Sequence, residues 1–255
     1  MSETFQPLPE PPARQRAVNL PPVIVATLAV LGAIHVIRLL IGAERDLWVI
    51  LLFAFIPARI TGADEGFLPG GFGADLWTFV TYAFLHGDPL HLFVNAFFLA
   101  AFGSVLATRF GPLRFVLFSL LAAVAGALLH FVTHLGDPTA MIGASAAISA
   151  HMAAACRFIF IQPRLGEATF IELDPARRPA ASLATTLSNP RVISFLAVWF
   201  GANILFGLLS GGEGPMSSAI AWQAHIGGFL FGLLAFQLFD PVKAPAPAPT
   251  PPPPG

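Results

Sequence analysis

The stretch MIGASAAISAHMAAA, Met141 to Ala155, sets a serine, Ser145, in a run of small and apolar residues with almost nothing polar to solvate it. What a hydroxyl does there depends on the rest of the chain. Of its 255 residues 56% are hydrophobic and only 11% are charged, a balance outside the usual range of soluble globular domains. Lipid is the solvent for most of this chain. A formal net charge of -1 offers neither a basic surface for nucleic acid nor an acidic one for a cationic ligand. Cys156 is the single cysteine; it has no intramolecular partner and reads as a small buried hydrophobe.

A spanning helix needs about 20 mostly apolar residues, and six segments qualify: Val23 to Ile41, Pro89 to Thr108, Leu113 to Phe131, Ile142 to Ile161, Val192 to Ser210 and Ser218 to Phe239. The expected fold class is therefore all-α, a polytopic bundle of six transmembrane helices spanning residues 22–240. The run Leu47 to Ala58 is too short to span and suits an interfacial segment, so 42–88 is read as one long outer connection. Residues 1–21 are expected to form a cytoplasmic tail. The proline-rich residues 241–255 are expected to form an extended or disordered one. Arginine and lysine fall mainly in the segments on the N-terminal side of the membrane, while the short loops near Gly136 and Gly212 hold none. The positive-inside rule then puts both termini in the cytoplasm. Arg45 and Arg59 are the exceptions, and Arg38 is expected to snorkel toward the surface.

With this topology helices two, four and six begin on the outer side, and each carries its most unusual polar residues there: His91 and Asn95, Ser145, and His225. Counted from Ser218, His225 lies about 10 Å into its helix. Serine and histidine are the minimal pair for acyl transfer, with imidazole taking the hydroxyl proton and returning it to the leaving amine. Ser145 at a helix start has a free amide and a favourable dipole for an oxyanion. His91 and Asn95, four apart on one helical face, can aim two donors at the same spot. No carboxylate accompanies them in the fourth or sixth segment, so a dyad is the economical reading. Each residue also has an ordinary role: a serine bonding the carbonyl four residues back, or His91 and Asn95 as interhelical glue. Their shared depth is what favours the chemical reading.

Gly228 and Gly232 form a small-xxx-small pair one turn below His225, and Ala146, Ala147 and Ala150 offer the matching face. His35 and His151 read as packing or interfacial residues. His130 and His134 are four apart, but no HExxH motif accompanies them, so no metal site is assigned.

The segments HLFVN at His91 to Asn95, GAS at Gly143 to Ser145 and AHIGGFLFG at Ala224 to Gly232 resemble the rhomboid family of intramembrane serine proteases. That family places His and Asn early in the second helix, a GxSG serine at the start of the fourth and an AH-xx-G histidine in the sixth. The resemblance implies that Ser145 is the nucleophile, His225 the base and later the acid, and His91 and Asn95 the oxyanion partners. His86, in FLHGDPLH, matches a supporting histidine, and Gly143, Gly228 and Gly232 match supporting glycines. It further implies cleavage of transmembrane segments of other membrane proteins near the outer face, without metal or organic cofactor, and with small residues favoured before the cut. A bacterial inner-membrane protein is the expected setting. Two departures stand out. Ala146 replaces the glycine after the nucleophile, and Trp77 is followed by Thr78 where the family carries arginine. The rival readings are an inactive relative that binds membrane clients and a small transporter. The first lacks the serine or histidine as a rule, and the second needs a polar path below His225, where IGGFLFGLLAF runs.

Overall fold

The computed structural model describes residues 20–160, 174–209 and 221–242. The expected tails 1–21 and 241–255 lie outside them except for Leu20, Pro21, Pro241 and Val242. The described residues are all-α apart from one isolated bridge, Phe55 with Met141. The chain is a polytopic membrane bundle.

Helix α1, Pro22–Leu40, opens on a proline at its first position, where the missing N–H costs nothing and φ is already helical. Three short helices follow: α2, Ala43–Phe53; α3, Pro57–Thr61; and α4, Gly71–Thr81. Next, α5, Pro89–Phe98, continues through a π-helical turn, Leu99–Gly103, into α6, Ser104–Phe110. The long helix α7, Pro112–Thr133, precedes α8, Ser145–Cys156, and a short α9, Leu183–Leu187. Last come α10, Pro190–Leu209, and α11, Trp222–Phe239. Among the described residues four helical stretches are long and apolar enough to cross a membrane: Pro22–Leu40, Pro89–Phe110, Pro112–Thr133 and Trp222–Phe239. The apolar helices Ser145–Cys156 and Pro190–Leu205 are shorter.

The core is organised around α8, buried along its whole length after Ser145. Small residues make this possible. A side chain at Gly228 would strike the Ala146 carbonyl, and one at Gly232 the Ala150 carbonyl, so α11 lies with its backbone on that of α8. On the other side, a Cβ at Gly126 of α7 would sit 2.5 Å from the Ala146 Cβ. The space for the Ala146 methyl, present where the family has glycine, is supplied by Gly126.

At the end of α8 away from Ser145, two buried arginines close the bundle. Arg109 forms a two-pronged pair with Asp240, at 2.8 and 2.7 Å, and donates to the Ala176 and Arg178 carbonyls. Arg157 donates to the carbonyls of Ala181 and Leu233. Both guanidinium groups also lie over the Phe236 ring. Charge this deep is tolerable because each donor fork meets oxygen acceptors.

The connection 42–88 is tied down by its own backbone. The last turn of α2 leaves three successive carbonyls without helical donors, and each receives a side chain. Arg59 donates to Leu51, Trp77 to Leu52 at 3.0 Å and Thr81 to Phe53 at 2.7 Å. Arg59, unexplained by charge topology, is a buried cap that donates to the Leu51 and Pro69 carbonyls. Thr78 instead bonds Ala74 within its own helix. Arg38 departs from the expected snorkelling: it is 7% exposed, paired with Asp46 at 2.6 Å and bonded to the His86 carbonyl at 2.7 Å. A carboxylate and a carbonyl within reach hold it inside.

Candidate active site

The segment leading to α8 is held on both edges. Phe55 and Met141 exchange backbone hydrogen bonds of 3.1 and 2.8 Å, and the Gly143 amide donates to the Tyr82 carbonyl at 3.0 Å. At Gly143 the chain turns with φ +121°, and a Cβ there would lie 2.8 Å from His91 Nε2. Only glycine meets both demands. The helix then begins, with Ser145 as its first residue, so the serine hydroxyl has no carbonyl four residues back to bond: the Met141 carbonyl is taken by Phe55.

Instead Ser145 Oγ lies 2.7 Å from His225 Nε2. The sixth segment was expected to place His225 about 10 Å below a start at Ser218. The described helix starts at Trp222, and His225 occupies its first turn, because the Ala221 carbonyl accepts from both Ala224 and His225. Residues 218–220 lie outside the described residues.

His91 and Asn95 line the same cavity, of about 790 Å³, together with Gly143, Ser145, Asn203 and His225. Asp88 caps α5 by accepting from the His91 amide at 2.9 Å. The Gly87 amide donates to His91 Nδ1 at 3.4 Å, which leaves the ring proton on Nε2, the nitrogen nearest Gly143. Asn95 donates one of its two amide protons to the His91 carbonyl at 2.9 Å and keeps the other. Each side chain thus keeps one donor uncommitted, and both line the cavity that Ser145 lines.

His86 is fully buried, its ring 5.0 Å from that of His91 in an edge-on arrangement. Its ring nitrogens make no hydrogen bond among the described residues. Burial pushes its pKa down to about 3, so the ring is a neutral spacer beneath His91.

Two features escaped sequence reasoning. Asn203 Oδ1 on α10 is hydrogen-bonded to His225 Nδ1. His151, read as a packing or interfacial residue, lies 2.8 Å from Ser119 Oγ. The His35 ring nitrogens make no hydrogen bond among the described residues. His130 and His134 stack 4.2 Å apart, and the described residues contain no cluster of three or more metal-ligating side chains.

No curated protein matches the chain. The model of the Rhomboid domain matches residues 73–240, from within the first turn of α4 to just past the end of α11. This match covers well over half of the sequence, and the chain belongs to the rhomboid family, a family of intramembrane proteases.

Proposed function

We propose that this protein is an intramembrane serine endopeptidase in which Ser145 attacks and His225 moves the proton. The observation that carries the reading is the 2.7 Å separation of Ser145 Oγ and His225 Nε2 on the wall of a cavity that also holds His91 and Asn95. Nε2 takes the hydroxyl proton as Oγ bonds to the scissile carbonyl carbon, and then protonates the leaving nitrogen. Water then bonds to the acyl carbon as Nε2 takes its proton, and Nε2 returns that proton to Ser145 Oγ as the carbon–Oγ bond breaks. Charge on the carbonyl oxygen meets the first-turn amide of α8, the His91 Nε2–H and the free Asn95 proton.

The substrate is a transmembrane segment of another membrane protein. A helical carbonyl is hydrogen-bonded and shielded, so segments weakened near the outer face are favoured, with small residues before the cut. In this reading α8 and α10 complete a six-helix bundle, the Ser145 end faces outward, and the arginine-rich end and both termini face the cytoplasm of a bacterial inner membrane. The transporter reading loses ground, because Arg109, Asp240 and Arg157 are bonded across the far end of the bundle.

Labelling of the purified protein with a fluorophosphonate tests the proposal. Wild type is expected to react, while Ser145→Ala and His225→Ala do not. Labelling retained in either variant, or absent from folded wild type that also leaves membrane substrates uncut, removes the protease reading in favour of a client binder.

A further inference from the structure

We infer that Asn203 is a positioning residue that locks His225 in the one tautomer able to act as a base. This rests on the protease reading above and adds a third member to its serine and histidine. The argument follows from hydrogen-bond polarity. Asn203 Nδ2 donates to the Trp199 carbonyl at 2.8 Å. A carbonyl can only accept, so the amide is oriented with nitrogen toward Trp199 and oxygen toward the imidazole. The oxygen in turn can only accept, so His225 Nδ1 must carry the proton. Nε2 is then a lone pair, and it is the atom that faces Ser145 Oγ. One backbone carbonyl on α10 therefore sets the direction of every proton through to the nucleophile.

The choice of an amide suits the surroundings. Trp199, Ala202 and Asn203 line the cavity from α10, a helix otherwise composed largely of apolar residues. An aspartate there would have to be desolvated as an anion, while an amide offers the same acceptor oxygen without charge. Its dipole also stays aligned with the imidazolium that forms when Nε2 takes the serine proton. The same division of labour, with a neutral or charged acceptor behind the histidine, recurs on unrelated protease folds.

Were Asn203 mere interhelical glue, its loss would alter stability and leave the ring chemistry alone. The test is solid-state NMR of ¹⁵N-histidine-labelled protein in liposomes, with the His225 signals assigned by their loss in His225→Gln. Wild type is expected to show a protonated Nδ1 and an unprotonated Nε2. In Asn203→Leu the two tautomers mix. Labelling by a fluorophosphonate then slows about 10- to 100-fold, and kcat on a membrane substrate falls with KM nearly unchanged. Asn203→Asp keeps the acceptor and restores the Nδ1–H form. A protonated Nε2 in wild type overturns the inference, as does a Leu variant with unchanged tautomer or unchanged labelling rate. If Asn203→Leu does not fold, the wild-type tautomer alone decides. The ring signals are read independently of activity, so a protein that never labels at Ser145 refutes the protease reading without deciding the tautomer.

Discussion

Two serine–histidine pairs meet on α8, and they differ in the direction of one proton. Ser145 and His225 are 2.7 Å apart, and Ser119 and His151 are 2.8 Å apart. Ser119 sits in mid-helix, where its hydroxyl donates to the Phe115 carbonyl at 2.7 Å. Its single proton is thus committed, so its oxygen accepts from His151 Nε2–H. His151 is packed beside the Phe115 and Phe118 rings, and its Nδ1 has no partner among the described residues. Ser145, as the first residue of its helix, has no such carbonyl to bond, and its histidine is held in the opposite tautomer by Asn203. On the proposed reading, the same two side chains at nearly the same distance form a base in one place and a structural donor in the other. Helix position, not the pair itself, decides.

This contrast predicts the largest difference the protein can show. Ser145→Ala is expected to lower turnover of a membrane substrate by more than about 10³-fold. Ser119→Ala is expected to leave turnover within about twofold, while leaving His151 Nε2–H unpaired at a cost of about 1–3 kcal/mol. Turnover and thermal unfolding in detergent, measured on both variants, would separate the pairs. Loss of turnover in Ser119→Ala without loss of stability would end the distinction.

The donors around Ser145 sharpen it further. Asn95→Ala removes a side chain with one committed proton and one free, and Ser119 has no counterpart. The expected result is a fall of about 10²-fold in kcat with KM nearly unchanged. An effect confined to KM would return Asn95 to packing.

Packing around the active pair gives a smaller effect. Gly126→Ala brings a methyl against that of Ala146 and close to the Ala224 carbonyl, at 2.9 Å. Destabilisation of about 1–3 kcal/mol is expected. Adding Ala146→Gly removes the first clash and not the second, so a double-mutant cycle should show partial rescue. Ala146→Gly alone should be tolerated in turnover. Strict additivity would mean that the two helices relax apart at this point.

How far these differences were legible follows from what each depends on. The apolar runs were legible because lipid demands length and hydrophobicity from contiguous residues. Ser145, His225, His91 and Asn95 stood out because polar groups are rare in such runs. Asn203 did not, since an asparagine in an apolar helix reads first as glue, and its contact with His225 depends on the register of α10 against α11. Ser119 was hidden for the same reason. Arg59 looked like an exception to a charge rule, because the three orphan carbonyls it helps to satisfy exist only once α2 ends where it does. The π turn at Leu99–Gly103 had no local signal beyond Gly103, whose Cβ would meet Leu99 at 2.8 Å and Ile24 at 3.2 Å. The described α11 starts at Trp222 without a side-chain cap at Ala221, and an apolar run carries no mark of where its first turn begins.

The smallest effect concerns a third buried histidine, one that belongs to neither pair. His86 bonds no hydroxyl, and its pKa is pushed down to about 3, by burial first and then by the neighbouring His91 and His35. An unfolded histidine titrates near 6.5. Above that pH both states are neutral and His86 contributes no slope. As pH falls below about 6.5 the unfolded state takes up a proton that the folded state refuses, so stability declines until the folded pKa is reached. Between pH 7.5 and 5 the unfolding temperature of wild type should therefore fall, and that of His86→Gln should fall less, with a difference of about 1–2 kcal/mol at pH 5. Equal slopes would mean that His86 keeps access to a proton in the folded protein, and the edge-on contact that carries His91 would then have to be a charged one.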